Sequence, residues 1–143
     1  MVSKKAATKS KVKTIIIENG EEYKFPKSFT GIVKVFRVDP RTKEKYFDLL
    51  SYYKKGKRHR LDGPAIIRAD GTKLWFKKGN YHREDGPAIE YEDGYKAWWI
   101  EGSLHREDGP AIICTNGTKK WYKEGLLHRE DGPAIESVDG TKE

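Results

Sequence analysis

The sequence predicts an all-β fold: an elongated, open array of stacked 23-residue β-hairpin repeats in a single antiparallel meander sheet, preceded by a flexible basic N-terminal arm. Three observations carry this expectation. Nearly the same eight residues, His-Arg-Glu-Asp-Gly-Pro-Ala-Ile, return from His59, His82, His105 and His128, and a fixed period of this kind marks stacked supersecondary units. Each copy is followed by a turn pair, Asp70-Gly71, Asp93-Gly94, Asn116-Gly117 and Asp139-Gly140, suited to a type I′ hairpin. The composition is 36% hydrophobic and 36% charged, yet 12% aromatic, which points to a thin core rich in rings and away from disorder.

Taken in order, residues 1–13 hold Lys4, Lys5, Lys9, Lys11 and Lys13 among small residues, with no acid and nothing to offset the entropy of ordering. This is the expected flexible arm. Residues 14–58 read as N-terminal hairpins ending in a degenerate capping repeat. An apolar run, Asn19-Gly20 and a polar-aromatic alternation to Phe25 predict a hairpin stopped by Pro26. Gly31–Val38 alternates as a strand, Asp39-Pro40-Arg41-Thr42 turns it, and Lys45–Lys54 returns. Tyr52-Tyr53-Lys54-Lys55-Gly56 fills the columns of Trp75-Phe76-Lys77-Lys78-Gly79 one period earlier.

Residues 59–143 are the repeats proper. Each is expected to run through Gly-Pro-Ala-Ile as a first strand, the Asx-Gly turn, and a second strand ended by the glycine column Gly56, Gly79, Gly102 and Gly125. Ile66, Ile89, Ile112 and Ile135 never change, whereas the following column reads Ile67, Glu90, Ile113, Glu136. The Ile side is therefore expected to be buried, with Trp75, Trp98 and Trp121 stacked beside it in one apolar stripe. Tyr53, Phe76, Trp99 and Tyr122 follow the Trp column and are expected on the other face, as a strip of rings open to a partner or as second core.

His59, His82, His105 and His128 invite a metal reading, but zinc ligands lie about 2.0 to 2.1 Å from the ion, whereas repeats advance about 10 Å. Structural imidazoles bonding an adjacent repeat are expected, with no metal and no cofactor. His-Arg-Glu-Asp also resembles acid-base machinery for a hydrolase, yet four copies along an array make equal shallow sites where catalysis needs one shaped pocket. A non-enzyme is expected. Asp62, Asp85, Asp108 and Asp131 are expected to cap the turn into Gly-Pro, with Arg60, Arg83, Arg106 and Arg129 pairing an acid of the same or next repeat.

The 23-residue unit, with rings, glycine, His and glycine at set offsets and a closing Asp-Gly, resembles the MORN repeat and its bacterial and phage variants. The likeness covers residues 52–143 well and 14–51 poorly, and departs from the family at Arg-Glu-Asp and Pro-Ala-Ile. It implies a twisted antiparallel sheet of hairpins serving protein or membrane-surface contacts, in some relatives by neutralising a partner as antitoxin components do.

Charge is uneven. Residues 1–58 hold 16 Lys+Arg against 6 Asp+Glu, a net of +10, and residues 59–143 hold 13 against 16, a net of −3. Attraction to an anion thus belongs to the front, with Lys54, Lys55, Lys57 and Arg58 joining the arm lysines as candidate contacts. One cysteine, Cys114, excludes an intrachain disulfide, and no stretch has a signal peptide's apolar centre or a bilayer span's length, so an intracellular, soluble, cytoplasmic protein is expected. The first functional expectation is a scaffold binding an acidic protein. The alternatives are sequence-nonspecific nucleic-acid binding or a place in a nucleoprotein or virion assembly. The last repeat stops before its Trp column, and Ile135 is expected beside an unpaired edge open to another chain or second copy.

Overall fold

A computed structural model describes residues 12–18 and 26–143. The arm, apart from Val12 and Lys13, and the Asn19-Gly20 hairpin with its strand to Phe25 lie outside the described residues. The described chain is all-β. Its main sheet is open and eleven-stranded, mostly an antiparallel meander.

The sheet starts with β1 (Thr14–Glu18), β2 (Gly31–Val38) and β3 (Lys45–Lys54), to whose end β4 (Lys57–Arg58) is attached. It continues through β5 (Ile66–Arg68) and β6 (Lys73–Leu74), then β9 (Ile89–Glu90) and β10 (Lys96–Ala97), β13 (Ile112–Ile113) and β14 (Lys119–Lys120), and β17 (Ile135–Glu136). β1 departs from the expected meander. It pairs in parallel with β2, from Thr14 opposite Ile32 to Glu18 opposite Phe36. Residues 19–30 supply the long connection that a parallel pair requires. The arrangement buries Ile17 against Val33 and Phe29 and makes β1 the first edge strand of the sheet.

Each repeat builds two hairpins where one was expected. The second strand is interrupted at Trp75, Trp98 and Trp121. Beyond each break the chain forms its own two-stranded ribbon: β7 (Phe76–Lys77) with β8 (Asn80–Tyr81), β11 (Trp99–Ile100) with β12 (Ser103–Leu104), and β15 (Tyr122–Lys123) with β16 (Leu126–Leu127). In the leading unit β3 runs unbroken through Tyr52, and β4 completes the equivalent ribbon.

The Asx-Gly pairs do not take the type I′ geometry expected of them. The type I′ turns close the ribbons: Lys55, Lys78, Glu101 and Glu124 have φ between 50° and 53°, and the glycine after each is also positive. At the Asx-Gly pairs only the glycine is positive, as at Gly71 with φ 85°. There the Gly71 amide donates to Arg68 O (3.2 Å) and the Arg68 amide to Thr72 O (2.9 Å), a three-residue loop built on a type I turn. Asp70 stays in the ordinary region because its Oδ1 accepts the Thr72 amide at 2.9 Å, and Asp93, Asn116 and Asp139 do the same.

Register defines the core. Opposite residues on successive strands run Val33, Ser51, Ile66, Leu74, Ile89, Ala97 and Ile112 across the sheet. The first six of these are buried. Alternation from Leu74 puts Phe76 on this side and Trp75 on the reverse, so the expected Ile-Trp stripe is replaced by an Ile-Phe76 core. The core thins toward the end: Lys120 takes the place of Leu74 and Ala97, and Ile112 and Ile135 are half-buried. Ile135 is not beside a bare edge. Its amide donates to Glu143 O at 2.9 Å and its carbonyl accepts the Glu143 amide at 3.2 Å, so residues 141–143 fold back along β17.

Candidate interaction surface

The ribbons stack in one column because backbone ties each to its predecessor. The amides of Gly56, Gly79, Gly102 and Gly125 donate to the carbonyls of Phe29, Arg58, Tyr81 and Leu104 at 2.7 to 3.0 Å. The residue before each glycine also needs a partner for its outward-facing amide. His59 Nδ1 accepts the Lys78 amide at 3.0 Å, His82 Nδ1 that of Glu101 at 3.1 Å, and His105 Nδ1 that of Glu124 at 3.2 Å. Thr30 Oγ1 substitutes for the imidazole at the front, accepting the Lys55 amide at 2.9 Å. The His column therefore joins repeat to repeat. His128 lies half-exposed, with Nε2 3.6 Å from Glu130.

Because these imidazoles accept an amide through Nδ1, that nitrogen must be unprotonated. Burial, reinforced by Lys54, Lys78 and Lys77, holds His59 below its usual value. A depressed imidazole contributes stability that is fully present above its unfolded value near 6.5 and lost as pH falls through the depressed folded value. The melting temperature is thus expected to fall as pH drops below about 6.5, before the depressed aspartates begin to titrate. His59→Asn, whose Oδ1 occupies the Nδ1 position, should flatten part of that slope in a pH series of thermal melts; an unchanged slope would remove His59 from the account.

The Arg column is equally committed. The guanidinium groups of Arg83, Arg106 and Arg129 lie 4.0 Å over the rings of Trp75, Trp98 and Trp121, and Arg60 lies 4.1 Å over Tyr52. Nε of each donates to the Asp two residues on, at 2.8 to 2.9 Å, and Nη1 donates to the following Pro carbonyl, as at Pro87 (3.2 Å). Asp62, Asp85, Asp108 and Asp131 thus hold an arginine of their own repeat and do not cap the Gly-Pro turn. That hydrogen bond lowers each carboxyl below the usual range. The alternating column on this face follows: Glu90 and Glu136 accept from Arg83 and Arg129 at 2.8 and 2.6 Å, whereas Ile67 and Ile113 offer no acceptor. A Cβ on Gly86 would stand 2.8 Å from Arg83 Cζ, so this glycine column makes room for the guanidinium.

The rings expected as an open strip are divided between core and margin. Phe76 is buried, 4.3 Å from Tyr81, which lies 5.6 Å from Trp99. Tyr53 packs 5.9 Å from Phe29, and Tyr122 is half-buried. Among the described residues no three of His, Cys, Asp or Glu gather as metal ligands, and no helix is long and apolar enough to cross a membrane.

What remains open is a basic ridge at the front of the ribbon column. Lys54, Lys55, Lys57, Arg58 and Lys78 are exposed, and no described acid pairs with them. Lys57, Arg58 and Lys78 border a groove of about 420 Å³ floored by Tyr53, Gly56, Phe76, Gly79 and Asn80. Of the arm lysines expected to join them, Lys13 is described, its carbonyl accepting the Ile32 amide at 2.8 Å, and the rest lie outside the described residues. Lys54, Lys55, Lys57 and Arg58 are the contacts expected from the sequence; Lys78 joins them on the ridge, and Thr30 joins the amide-accepting column, without having been expected. Recurrence of a residue-Gly pair after each ring pair was the signal for a second turn, which would have placed Lys78 on the ridge; Thr30 lies outside the period and left none. Compared with known proteins, the chain matches no family model, no curated protein and no solved structure.

Proposed function

We propose that this chain is a non-enzymatic repeat scaffold whose basic ridge docks an acidic surface of a partner protein. The observation that carries this reading is a ridge of five exposed cations with no described acid beside them, Lys54, Lys55, Lys57, Arg58 and Lys78, of which Lys57, Arg58 and Lys78 border one groove and Arg58 leans on the Phe76 ring at 5.7 Å, in a molecule whose repeat-column arginines are each paired with an Asp. The His-Arg-Glu-Asp copies support a scaffold over a hydrolase, because His59, His82 and His105 are tied to backbone amides and each Arg to a ring and an Asp. The MORN-like spacing agrees with that role. An acidic protein is favoured over single-stranded nucleic acid because the adjoining rings offer little face to a base: Phe76 is buried and Tyr53 is packed on Phe29.

The test is titration of the full chain against a labelled Glu/Asp-rich peptide and, separately, a single-stranded oligonucleotide. With five exposed charge pairs at stake, changing all five ridge cations to Gln should weaken peptide binding by about tenfold or more, and added salt should act likewise. Peptide binding indifferent to both changes, or binding of the oligonucleotide alone, would overturn the reading.

A further inference from the structure

The tips of the ribbons carry charge in an order that the monomer does not use. From front to back, the first residue of each type I′ turn is Lys55, Lys78, Glu101 and Glu124. All four are exposed, and no ion pair engages them among the described residues. The backbone does not select these residues. A left-handed conformation at this position suits Asn, Asp or Gly, and a long side chain there is strained at every tip. The charged heads are therefore the feature that four strained positions have in common.

The tips are also in line. Gly79, Gly102 and Gly125 are each bonded to the preceding ribbon, and a Cβ on Gly79 or Gly102 would meet the side chain of Lys57 or Asn80 one ribbon earlier. Successive ribbons advance by about two strand spacings, so the heads stand roughly 10 Å apart. The order plus, plus, minus, minus reverses in sign when read from the other end.

We propose that this row is a two-fold self-association surface whose occupant is a second copy of the chain laid antiparallel. With the axis between the second and third tips, Lys55 meets Glu124 of the second copy and Lys78 meets Glu101 of the second copy. The same two pairs recur on the other side of the axis, as an isologous contact requires. Leu126, 72% exposed beside the last tip, comes level with the aliphatic stem of Lys57 of the second copy. The inference is separate from docking of an acidic partner, although both use Lys55 and Lys78: the glutamates of the second copy occupy the ridge that such a partner would need, so the two compete.

Sedimentation of the full chain tests it. At about 0.05 M salt the mass should be roughly twice the 16.5 kDa of one chain, falling to one chain as salt approaches about 0.5 M and screening shortens the reach of each pair. An all-acidic row, Lys55→Glu with Lys78→Glu, and an all-basic row, Glu101→Lys with Glu124→Lys, should each be monomeric. Their equimolar mixture should recover the doubled mass, and the fourfold reversal should dimerise like the natural chain, which shows that the variants fold. A natural chain that stays monomeric at low salt, or a dimer in either two-residue variant alone, would overturn the proposal. Acidic-peptide binding by a strictly monomeric chain would overturn it and leave the proposed function standing.

Discussion

Phe76→Ala should lower the free energy of unfolding by about 3 to 5 kcal/mol, the range for emptying a buried aromatic site. Phe76 is 6% exposed and packs with Ile66, Leu74, Ile89 and the ring of Tyr81 where the β7–β8 ribbon meets the main sheet. Neighbours on both sides are themselves bonded into strands, so the site has little freedom to collapse on the cavity. Urea unfolding followed by circular dichroism measures the loss. The result discriminates sharply, because a ring on an open partner-binding strip would tolerate the change with less than about 0.5 kcal/mol. Tyr122→Ala, at the same column but half-buried in the thinner end of the core, should cost less than Phe76→Ala.

Arg83→Ala should cost about 2 to 3 kcal/mol, a large loss for a charged side chain. The stack on Trp75 at 4.0 Å and the bonds to Pro87 O and Glu90 are lost together, and Arg83 is only 21% exposed. The bond to Asp85 adds little to the total because that carboxylate is 86% exposed and well screened. Arg83→Lys should recover only part of the loss, since an ammonium cannot stack flat and bond in a fork at once. Gly86→Ala tests the same arrangement from beneath, its new methyl displacing the guanidinium. Urea unfolding of each variant is the measurement, and an Arg83→Ala protein within about 0.5 kcal/mol of the natural chain would show that the arginine is a surface ornament.

The repeat, its all-β character, the first strands and the inward side of the Ile column, buried at Ile66 and Ile89, were legible because each depends on local patterning. A 23-residue period, Asx-Gly pairs and strand alternation act within one hairpin and hold whatever packs against it. The faces of Trp75 and Phe76 were not legible from sequence. Both are large rings at adjacent positions, and which one points inward follows from Ile66 lying opposite Leu74, a register between strands that spacing along one strand does not state. The type I′ geometry falls at the residue-Gly pairs of the ribbons and not at the Asx-Gly pairs for a related reason. Asx-Gly is compatible with two hairpin geometries, and the amide of Thr72 two residues on decided for Asp70, whereas the amide of Lys78 was left to His59 in another repeat.

The candidate ridge shows the same division. The excess of cations in residues 1–58 is a property of composition, and it marks the front of the molecule for anionic contacts without reference to any fold. Selecting Lys54, Lys55, Lys57, Arg58 and Lys78 from that excess required the stacking of the ribbons, whose turns the recurring residue-Gly pair marks in the sequence without stating which ribbon lies beside which.

By itself the sequence determined that a short hairpin unit is copied four times with isoleucine on its inner side, because hydrogen-bonded turns and side-chain alternation are set by near neighbours. Only the tertiary structure decided that each unit carries a second ribbon, that arginine stacks on tryptophan and histidine links successive units, and that β1 enters in parallel. The histidine link joins groups 19 residues apart, as with His59 and the Lys78 amide, β1 takes its place from the facing β2, and each arginine reaches its ring across a ribbon. Contacts between distant groups form only where the packed sheet brings their partners within hydrogen-bonding reach.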